Sequence, residues 1–299
     1  VIRVADLPPH HPPRLAESLG ARVLVPPQNG GPGVARNLAA EHAAGDVLWF
    51  VDSDVIAWGD GAQKVRAAFA DPEVGAVFGS YDDAPDGQHW FSRYKNLMHR
   101  FYHQTARKDA ATFWAGCGAV RAEVFRRIGG FDVETYRVPS IEDIELGYRI
   151  RRAGSRIVLD PTLLGKHLKV WTPKGALHTD IFRRALPWSR LMIAREGVAN
   201  DLNTSQAERL KAVLAGLLIL SVLALPFALG LWWLPVALAA AALALNWRLF
   251  AFLRGNGGVW FAVRALAWHQ FYYVYSAAAF VWCLFEFHVL GRKNRLHVP

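Results

Sequence analysis

Cysteine is scarce in this sequence, which has only Cys117 and Cys283 among its 299 residues. Two cysteines far apart in the chain exclude a multi-disulfide framework and a cysteine zinc cluster, and they fit a reducing cytoplasm. No signal peptide is visible either. Because the chain starts at Val1 without methionine, we expect it to begin partway into a domain.

Charge is missing from one long stretch, since no charged residue lies between Lys211 and Arg248. That length suffices for two bilayer crossings of roughly 20 residues each. A third apolar, aromatic-rich run follows Arg264. The sequence therefore predicts a soluble-looking head and an α-helical membrane region at 209–299, with crossings at about 212–230, 232–250 and 266–289.

The third crossing conflicts with the charge that follows it. Three crossings from a cytoplasmic head place Arg292 and Lys293 outside, against the positive-inside bias. A re-entrant or interfacial third segment is the alternative.

The net charge of +9 does not form one basic stripe. Basic residues bracket the apolar runs instead, which disfavours nucleic acid as a partner and favours membrane lipids at a cytoplasmic surface. Residues 171–208 mix Trp, Leu and Arg, as in IFRRALPWSRLMI. This composition predicts an amphipathic helix in the membrane interface.

The first half of the chain alternates apolar runs with helical patterns. The runs at Ala21 to Pro26 and Asp46 to Val51 predict strands, and the segments Arg14 to Leu19, Gly33 to Ala44 and Ala62 to Ala70 predict helices. Such alternation is typical of an α/β fold with a mainly parallel sheet. Ligands bind outside the carboxyl ends of the strands in sheets of this kind.

Two carboxylates follow the apolar strand in WFVDSDV, residues 49–55. Because isolated carboxylates are costly to desolvate, Asp52 and Asp54 require solvent, hydrogen-bond donors or a cation at this strand end.

The Gly-rich turn QNGGPGVARN, residues 28–37, matches neither a P-loop nor a dinucleotide-binding fingerprint. Its glycines serve the turn, although the backbone N–H groups of the following helix could face an anion. Arg36 would lie in the first turn of that helix, where its planar fork suits a phosphate or a base edge.

The segment IEDIELGYRIRRAG, residues 141–154, predicts a helix with Ser140 as its N-cap. Glu142 and Asp143 then lie in the first turn, where they either complement the helix dipole or act in catalysis.

These motifs, together with GCGAVRAEVFRRIGGFD at 116–132, resemble the family 2 glycosyltransferases. That family consists of inverting, nucleotide-sugar-dependent enzymes with a GT-A fold. The resemblance covers about residues 1–170, and WHQFYYVYS, residues 268–276, is similar to the tail of membrane-anchored bacterial members.

The resemblance implies roles for several residues. Asp52 and Asp54 would form the D-x-D element that holds Mg²⁺ or Mn²⁺ against the donor diphosphate. Asp143 would be the general base, with Glu142 beside it. Gly116 and Gly118 would line the sugar and acceptor site, although a tight turn before the next helix explains them equally well.

The sequence departs from the family pattern at its start. No strand with a nucleobase-packing turn precedes Val1, and VIRVADLPP leaves Asp6 as the candidate base contact. His167, in GKHLKVW, falls where many relatives place a histidine near the metal or diphosphate. A packed or solvated histidine is the alternative.

The sequence thus predicts an inverting, metal-dependent transferase on the cytoplasmic face of the cell membrane. It would pass a sugar from a nucleotide-sugar donor to a lipid or polyprenyl-phosphate-type acceptor. The alternatives are a non-catalytic sugar-nucleotide-binding protein and a transporter-associated membrane protein, which the same motifs and apolar segments leave open.

Overall fold

The computed structural model describes residues 1–4, 13–26, 29–198, 202–292 and 296. The chain divides into two compact units: the first contains Val1–Ser80 and Arg107–Gly165, and the second contains Tyr81–Ala106 and Lys166–Asn294. Residues 81–106 of the predicted head therefore group with the C-terminal part of the chain. The apolar face of their helix packs on a C-terminal helix, which sequence periodicity does not reveal.

The elements follow each other along the chain from residue 2 to residue 167. They are β1 (Ile2–Val4), α1 (Pro13–Ser18), β2 (Arg22–Leu24), α2 (Gly31–Glu41), β3 (Val47–Val51), β4 (Val55–Ala57), α3 (Gly61–Ala68), β5 (Val74–Tyr81), α4 (Trp90–Thr105), β6 (Cys117–Arg121), α5 (Ala122–Arg127), α6 (Glu142–Arg152) and β7 (Arg156–His167). The strands and helices predicted between residues 14 and 70 are all present, with ends shifted by at most three residues.

The main sheet is mixed, so the prediction of a mainly parallel sheet was wrong. Its strand order is β3-β6-β5-β7-β4, and β6 runs antiparallel to both β3 and β5. β1 and β2 pair in parallel in a separate two-stranded sheet. An apolar pattern indicates that a segment is a strand, but it does not show the direction of that strand relative to its neighbours. β6 follows α4 and a loop, which allow it to pair in the antiparallel direction. Its direction brings the start of β6 beside the end of β3, where Val51 pairs with Cys117.

The core of the first unit surrounds β3 and β5. The Phe50 ring of β3 lies 5.6 Å from the rings of both Phe125 and Phe131. Every residue of β5 is buried, as expected for a strand covered on both faces. A Cβ at Gly79 would lie 1.9 Å from the Leu163 carbonyl oxygen, so glycine is required where β5 and β7 approach.

The second unit is helical after β7. Helical backbone runs from Pro173 to Glu196 as α7 (Pro173–His178), a π-helical segment (Thr179–Ala185), α8 (Leu186–Leu191) and a second π-helical segment (Met192–Glu196). α9 (Gln206–Ala224) and α10 (Trp233–Leu245) follow, joined by two 3₁₀ turns, and α11 (Trp247–His288) contains a break at Gly258, where φ is 80°. Within the predicted interfacial segment 171–208, Trp171, Trp188 and Leu191 are buried inside this unit, so these three side chains do not face lipid.

One helix in the described part of the chain, Gln206–Phe227, is long and apolar enough to cross a membrane. The pair Leu229–Leu245 and Trp247–His288 passes the same test only together, across a bend of 74°. The helix ends therefore differ from the ends of the crossings predicted at about 232–250 and 266–289, whose location in a membrane stays a prediction. Asn246 ends α10, and residues 266–289 belong to a longer helix that begins at Trp247.

Candidate functional site

Four segments of the first unit bring the predicted site residues together. Arg36 lies on α2, Asp52 follows β3, Gly116 precedes β6, and Glu142 begins α6. The antiparallel pairing of β3 and β6 joins two of them directly, because the Asp52 backbone N–H donates to the Gly116 carbonyl oxygen at 3.0 Å.

Arg36 bridges two of the predicted acids. Its Nη2 donates to Asp52 Oδ1 at 2.6 Å, and its Nη1 donates to Glu142 Oε1 at 3.0 Å. The guanidinium lies 5.3 Å from the centre of the Phe131 ring. Burial lowers the pKa of Arg36, but attraction to Asp52, Glu142 and Asp143 outweighs burial, so this pKa lies above its usual value. Arg36 is therefore a permanent cation that connects the strand end to α6.

Asp143 is a half-buried carboxylate of the site that accepts two backbone hydrogen bonds. Its Oδ2 accepts a hydrogen bond from the Ala115 N–H at 3.2 Å, and its Oδ1 accepts one from the Ile144 N–H at 2.8 Å. Burial, together with repulsion from Glu142 and Asp52, raises the pKa of Asp143 to about 7, although Arg36 and the Ala115 N–H oppose this rise. A carboxylate with this pKa can exchange a proton near neutral pH, as a general base requires.

The start of α6 differs from the prediction. The N-cap is Ile141, and no side-chain hydrogen bond caps the helix. Ser140 instead donates its backbone N–H to Glu142 Oε2 at 2.9 Å, while the other oxygen of Glu142 accepts from Arg36. The prediction of Ser140 as N-cap was wrong because Glu142 reaches back to the preceding chain. Glu142 thus makes specific contacts in addition to any interaction with the helix dipole.

Gly116 and Gly118 are required by the chain's own packing. A Cβ at Gly116 would lie 2.5 Å from the Trp114 ring, and a Cβ at Gly118 would lie 2.3 Å from the Trp114 carbonyl oxygen. These contacts support the tight-turn interpretation. Contact of the two glycines with a sugar or an acceptor stays a prediction.

The Gly-rich turn before α2 packs on the loop that follows α5. Gly31 has φ of +80°, and a Cβ there would lie 3.1 Å from the Arg137 carbonyl oxygen. Asn37 donates to the Phe131 carbonyl oxygen and accepts from the Phe131 N–H, both at 2.9 Å. Sequence analysis missed Asn37, although it stands next to Arg36 in the same motif. These two hydrogen bonds orient α2 and with it Arg36.

Asp6 lies outside the residues that the structure describes, so its base contact stays a prediction. His167 lies in the second unit, where it is buried and stacks on Tyr81 with ring centres 4.2 Å apart. Its Nδ1 lies 2.5 Å from Asn96 Oδ1, and Asn96 donates through Nδ2 to the Lys169 carbonyl oxygen. In a neutral ring this contact places the proton on Nδ1 and the lone pair on Nε2. The packing interpretation of His167 is observed, and its metal role stays a prediction.

In the described part of the chain, no three His, Cys, Asp or Glu side chains lie close enough together to hold a metal ion. Mg²⁺ is commonly held by one or two protein carboxylates together with substrate phosphates, and a D-x-D pair fits that requirement. The Asp52 side chain keeps 37% of its surface exposed beside Arg36, and Asp54 is partly buried. The residues present therefore fit a divalent ion that binds with a diphosphate.

Comparison with known proteins gives a family match and a fold match. Residues 1–129 match the sequence model of the family described as Glycosyl transferase family 2. The pre-mycofactocin glycosyltransferases of Mycobacterium tuberculosis strains CDC 1551 / Oshkosh and ATCC 25618 / H37Rv are each 29% identical over 169 residues, which are 52% of this chain and 35% of theirs. The chain thus spans about a third of the length of these curated relatives.

A mannosyltransferase from Pyrobaculum calidifontis, solved in complex with GDP-Man and Mn²⁺, has the same fold. Its TM-score is 0.59 at 21% identity, over 94% of this chain and 77% of that one. Residues 1–129 are therefore similar to Glycosyl transferase family 2, and the chain shares the GT-A fold of the P. calidifontis enzyme.

Proposed function

We propose that this chain is an inverting glycosyltransferase that moves a sugar from a nucleotide-sugar donor to a hydroxyl of a lipid or polyprenyl-phosphate-type carrier. The observation that carries the proposal is the half-buried Asp143 carboxylate, with a pKa raised to about 7, beside the Glu142–Arg36–Asp52 chain of ion pairs. A near-neutral base beside a fixed cation and a D-x-D pair forms a set of groups suited to glycosyl transfer.

The reaction is a single displacement at the anomeric carbon. Asp143 accepts the proton of the acceptor hydroxyl as that oxygen forms a bond to the anomeric carbon. The bond from this carbon to the diphosphate oxygen breaks, and its electron pair leaves with the nucleoside diphosphate. Attack opposite the leaving group inverts the configuration.

Arg36 and Glu142 position the groups that act. Because Arg36 holds Asp52 and Glu142 at once, it fixes the D-x-D strand end relative to the first turn of α6, which carries Asp143. Such fixation reduces the loss of freedom needed to reach the reactive geometry.

The proposal includes Mg²⁺ or Mn²⁺, held by Asp52 and Asp54 together with the oxygens of the donor diphosphate. A bound divalent ion supplies charge neutralisation to the leaving diphosphate. The P. calidifontis mannosyltransferase was solved with Mn²⁺, which supports divalent metal use among proteins of this fold.

The proposal also places the chain in the cell membrane as a multi-pass protein with its catalytic part on the cytoplasmic side. Support comes from the apolar helix Gln206–Phe227 and from the basic residues that bracket the apolar runs. A membrane-embedded transferase is well placed to meet a lipid acceptor.

The test is transfer of radiolabelled sugar from UDP- and GDP-sugars to a bacterial lipid extract, with Mn²⁺ and with EDTA. We expect a labelled lipid that depends on metal and disappears in Asp143→Asn. Donor binding without transfer or hydrolysis by the wild type would favour the non-catalytic alternative. The absence of donor binding would favour the transporter-associated alternative.

A further inference from the structure

Two apolar helices of the second unit form a hairpin whose ends meet at one tyrosine. Tyr273 Oη on α11 lies 2.7 Å from Glu208 Oε2 at the start of α9 and 3.2 Å from Asn246 Oδ1 at the end of α10. All three residues are buried. Because one hydroxyl group contacts both residues, the start of α9 and the end of α10 lie side by side. The two helices therefore form a hairpin that projects away from Tyr273.

The part of the hairpin that lies away from Tyr273 is apolar and exposed. Only 11% of the apolar window in Gln206–Phe227 is buried, and the tip exposes 92% of Phe227 and 65% of Trp232. Ala215 and Ala242 are its buried small residues, as expected where helices approach closely in a bilayer. A second copy of the chain would cover one side of such a hairpin, whereas lipid covers all sides.

The first part of α11 packs on a charged helix of the same unit. Leu253, Phe261 and Ala265 are fully or largely buried in a cluster with Phe91 and Leu97 of α4. The same helix carries Arg93, whose Nη2 donates to the Asn256 carbonyl oxygen at 2.5 Å.

The second part of α11 is held by ion pairs and hydrogen bonds. Tyr275 donates to Asp180 Oδ2 at 2.8 Å, and Glu286 pairs with Arg190 at 2.9 Å. A crossing by α11 would draw Asp180, Arg190 and the helices that carry them into hydrocarbon, where charges are strongly disfavoured.

The outward face of α11 is apolar at helical spacing. It exposes Trp260, Phe271, Trp282 and Phe285, with Arg264 among them. A helix that is held by polar groups on one side and exposes aromatic rings on the other fits the plane of the membrane interface.

We infer that only the α9–α10 hairpin enters the bilayer, that both of its ends lie on the head side, and that α11 lies along the interface without crossing. The inference rests on the membrane attachment proposed above, and it replaces the multi-pass arrangement of that proposal with a single hairpin. At about 1.5 Å per residue, the 13 residues of α10 rise about 20 Å, so with the turn at its tip the hairpin reaches most of the way across a core of about 30 Å. Lys211, Arg248 and Arg292 then lie on one side, as the positive-inside bias requires.

Cysteine labelling of the full chain in sealed inside-out vesicles tests the sidedness. After Cys117→Ala and Cys283→Ala, single cysteines are placed by Ala207→Cys before the hairpin, by Gly255→Cys after it and by Arg292→Cys at the end of the chain. We expect a membrane-impermeant maleimide to label all three from the outside of these vesicles, as it labels Asp60→Cys in the head. Protection of Arg292→Cys until detergent is added would overturn the inference.

Depth measurement separates an interfacial α11 from a re-entrant one. An NBD fluorophore attached through Leu217→Cys on α9 should be quenched most by lipids brominated deep in the acyl chains. The same probe attached through Trp282→Cys should be quenched most by lipids brominated near the headgroups. Deep quenching at both positions would contradict the interfacial location of α11 but not the membrane attachment of the chain. A chain that remains a soluble oligomer and does not float with vesicles would overturn the membrane attachment as well.

Discussion

Arg36 donates to Glu142 over 3.0 Å, although the two residues are 106 positions apart. The second terminal nitrogen of the guanidinium, Nη2, donates to Asp52 Oδ1 at 2.6 Å. One half-buried side chain therefore fixes the distance between the D-x-D strand end and the helix that carries Asp143.

Arg36→Lys should destabilise the first unit, because an ammonium cannot hold two carboxylates with the geometry of a fork. We expect a loss of about 1–3 kcal/mol, the usual cost of leaving a buried acceptor unsatisfied. Thermal unfolding in detergent measures it. Arg126→Lys is the matched control, since Arg126 makes an exposed bond to the Ala43 carbonyl oxygen. Equal midpoints for both variants would contradict the bridging role of Arg36.

Asp143→Asn should lower sugar transfer by about 10²- to 10⁴-fold, the usual contribution of a positioned general base. The amide keeps the size of the side chain, so donor affinity measured by calorimetry should stay within a few-fold of wild type. Asp109→Asn, which alters an exposed pair with Arg151, serves as the control. Transfer by Asp143→Asn near the wild-type rate would show that Asp143 is not the base.

The pH dependence of transfer should reflect Asp143, whose pKa of about 7 lies above the ordinary 3.8. The deprotonated form acts as the base, so the turnover rate should rise with pH through about 7. Glu142→Gln removes a negative charge that raises this pKa, and the rising limb should move to lower pH. A limb that stays in place would contradict the electrostatic coupling.

The same carboxyl group affects stability in the opposite direction. Because the folded state binds the proton more tightly than the unfolded state, Asp143 favours folding fully below its ordinary pKa of 3.8, and this contribution is lost as pH rises through about 7. Asp143→Asn should therefore unfold with a weaker pH dependence between these values. Unfolding midpoints across that range, compared with wild type, provide the check.

Gly118→Ala should disrupt folding, because its Cβ would lie 2.3 Å from a backbone oxygen that cannot move freely. Gly59→Ala is the control, since no atom lies within 4 Å of the Cβ it would add. We expect a clearly lower unfolding midpoint for Gly118→Ala, and a change within about 0.5 kcal/mol for Gly59→Ala. A Gly118→Ala variant as stable as wild type but inactive would instead favour a substrate-contact role.

Asp54→Ala should abolish metal-dependent donor turnover, if the D-x-D pair holds a divalent ion with the diphosphate. Mn²⁺ titration of donor binding measures the effect separately from catalysis. Asp60→Ala, at an exposed residue that pairs with Lys64, should leave both intact. Full activity of wild type in excess EDTA would refute the metal assignment.

The sequence by itself determined the local elements and the chemistry that they carry. A continuous apolar run located β3, helical periodicity located α2 and α6, and the strand-end position of Asp52 placed it at a ligand-binding edge. These signals are short-range, because each depends on residues within one strand or a few helical turns.

The tertiary structure alone decided how the elements combine. The antiparallel entry of β6, the fork of Arg36 between Asp52 and Glu142, and the packing of α11 on α4 all join segments far apart in the chain. Periodicity shows which side of an element is buried but not against which partner. The raised pKa of Asp143 has the same origin, because burial and the charges of Glu142, Arg36 and Asp52 act only after folding has brought these groups together.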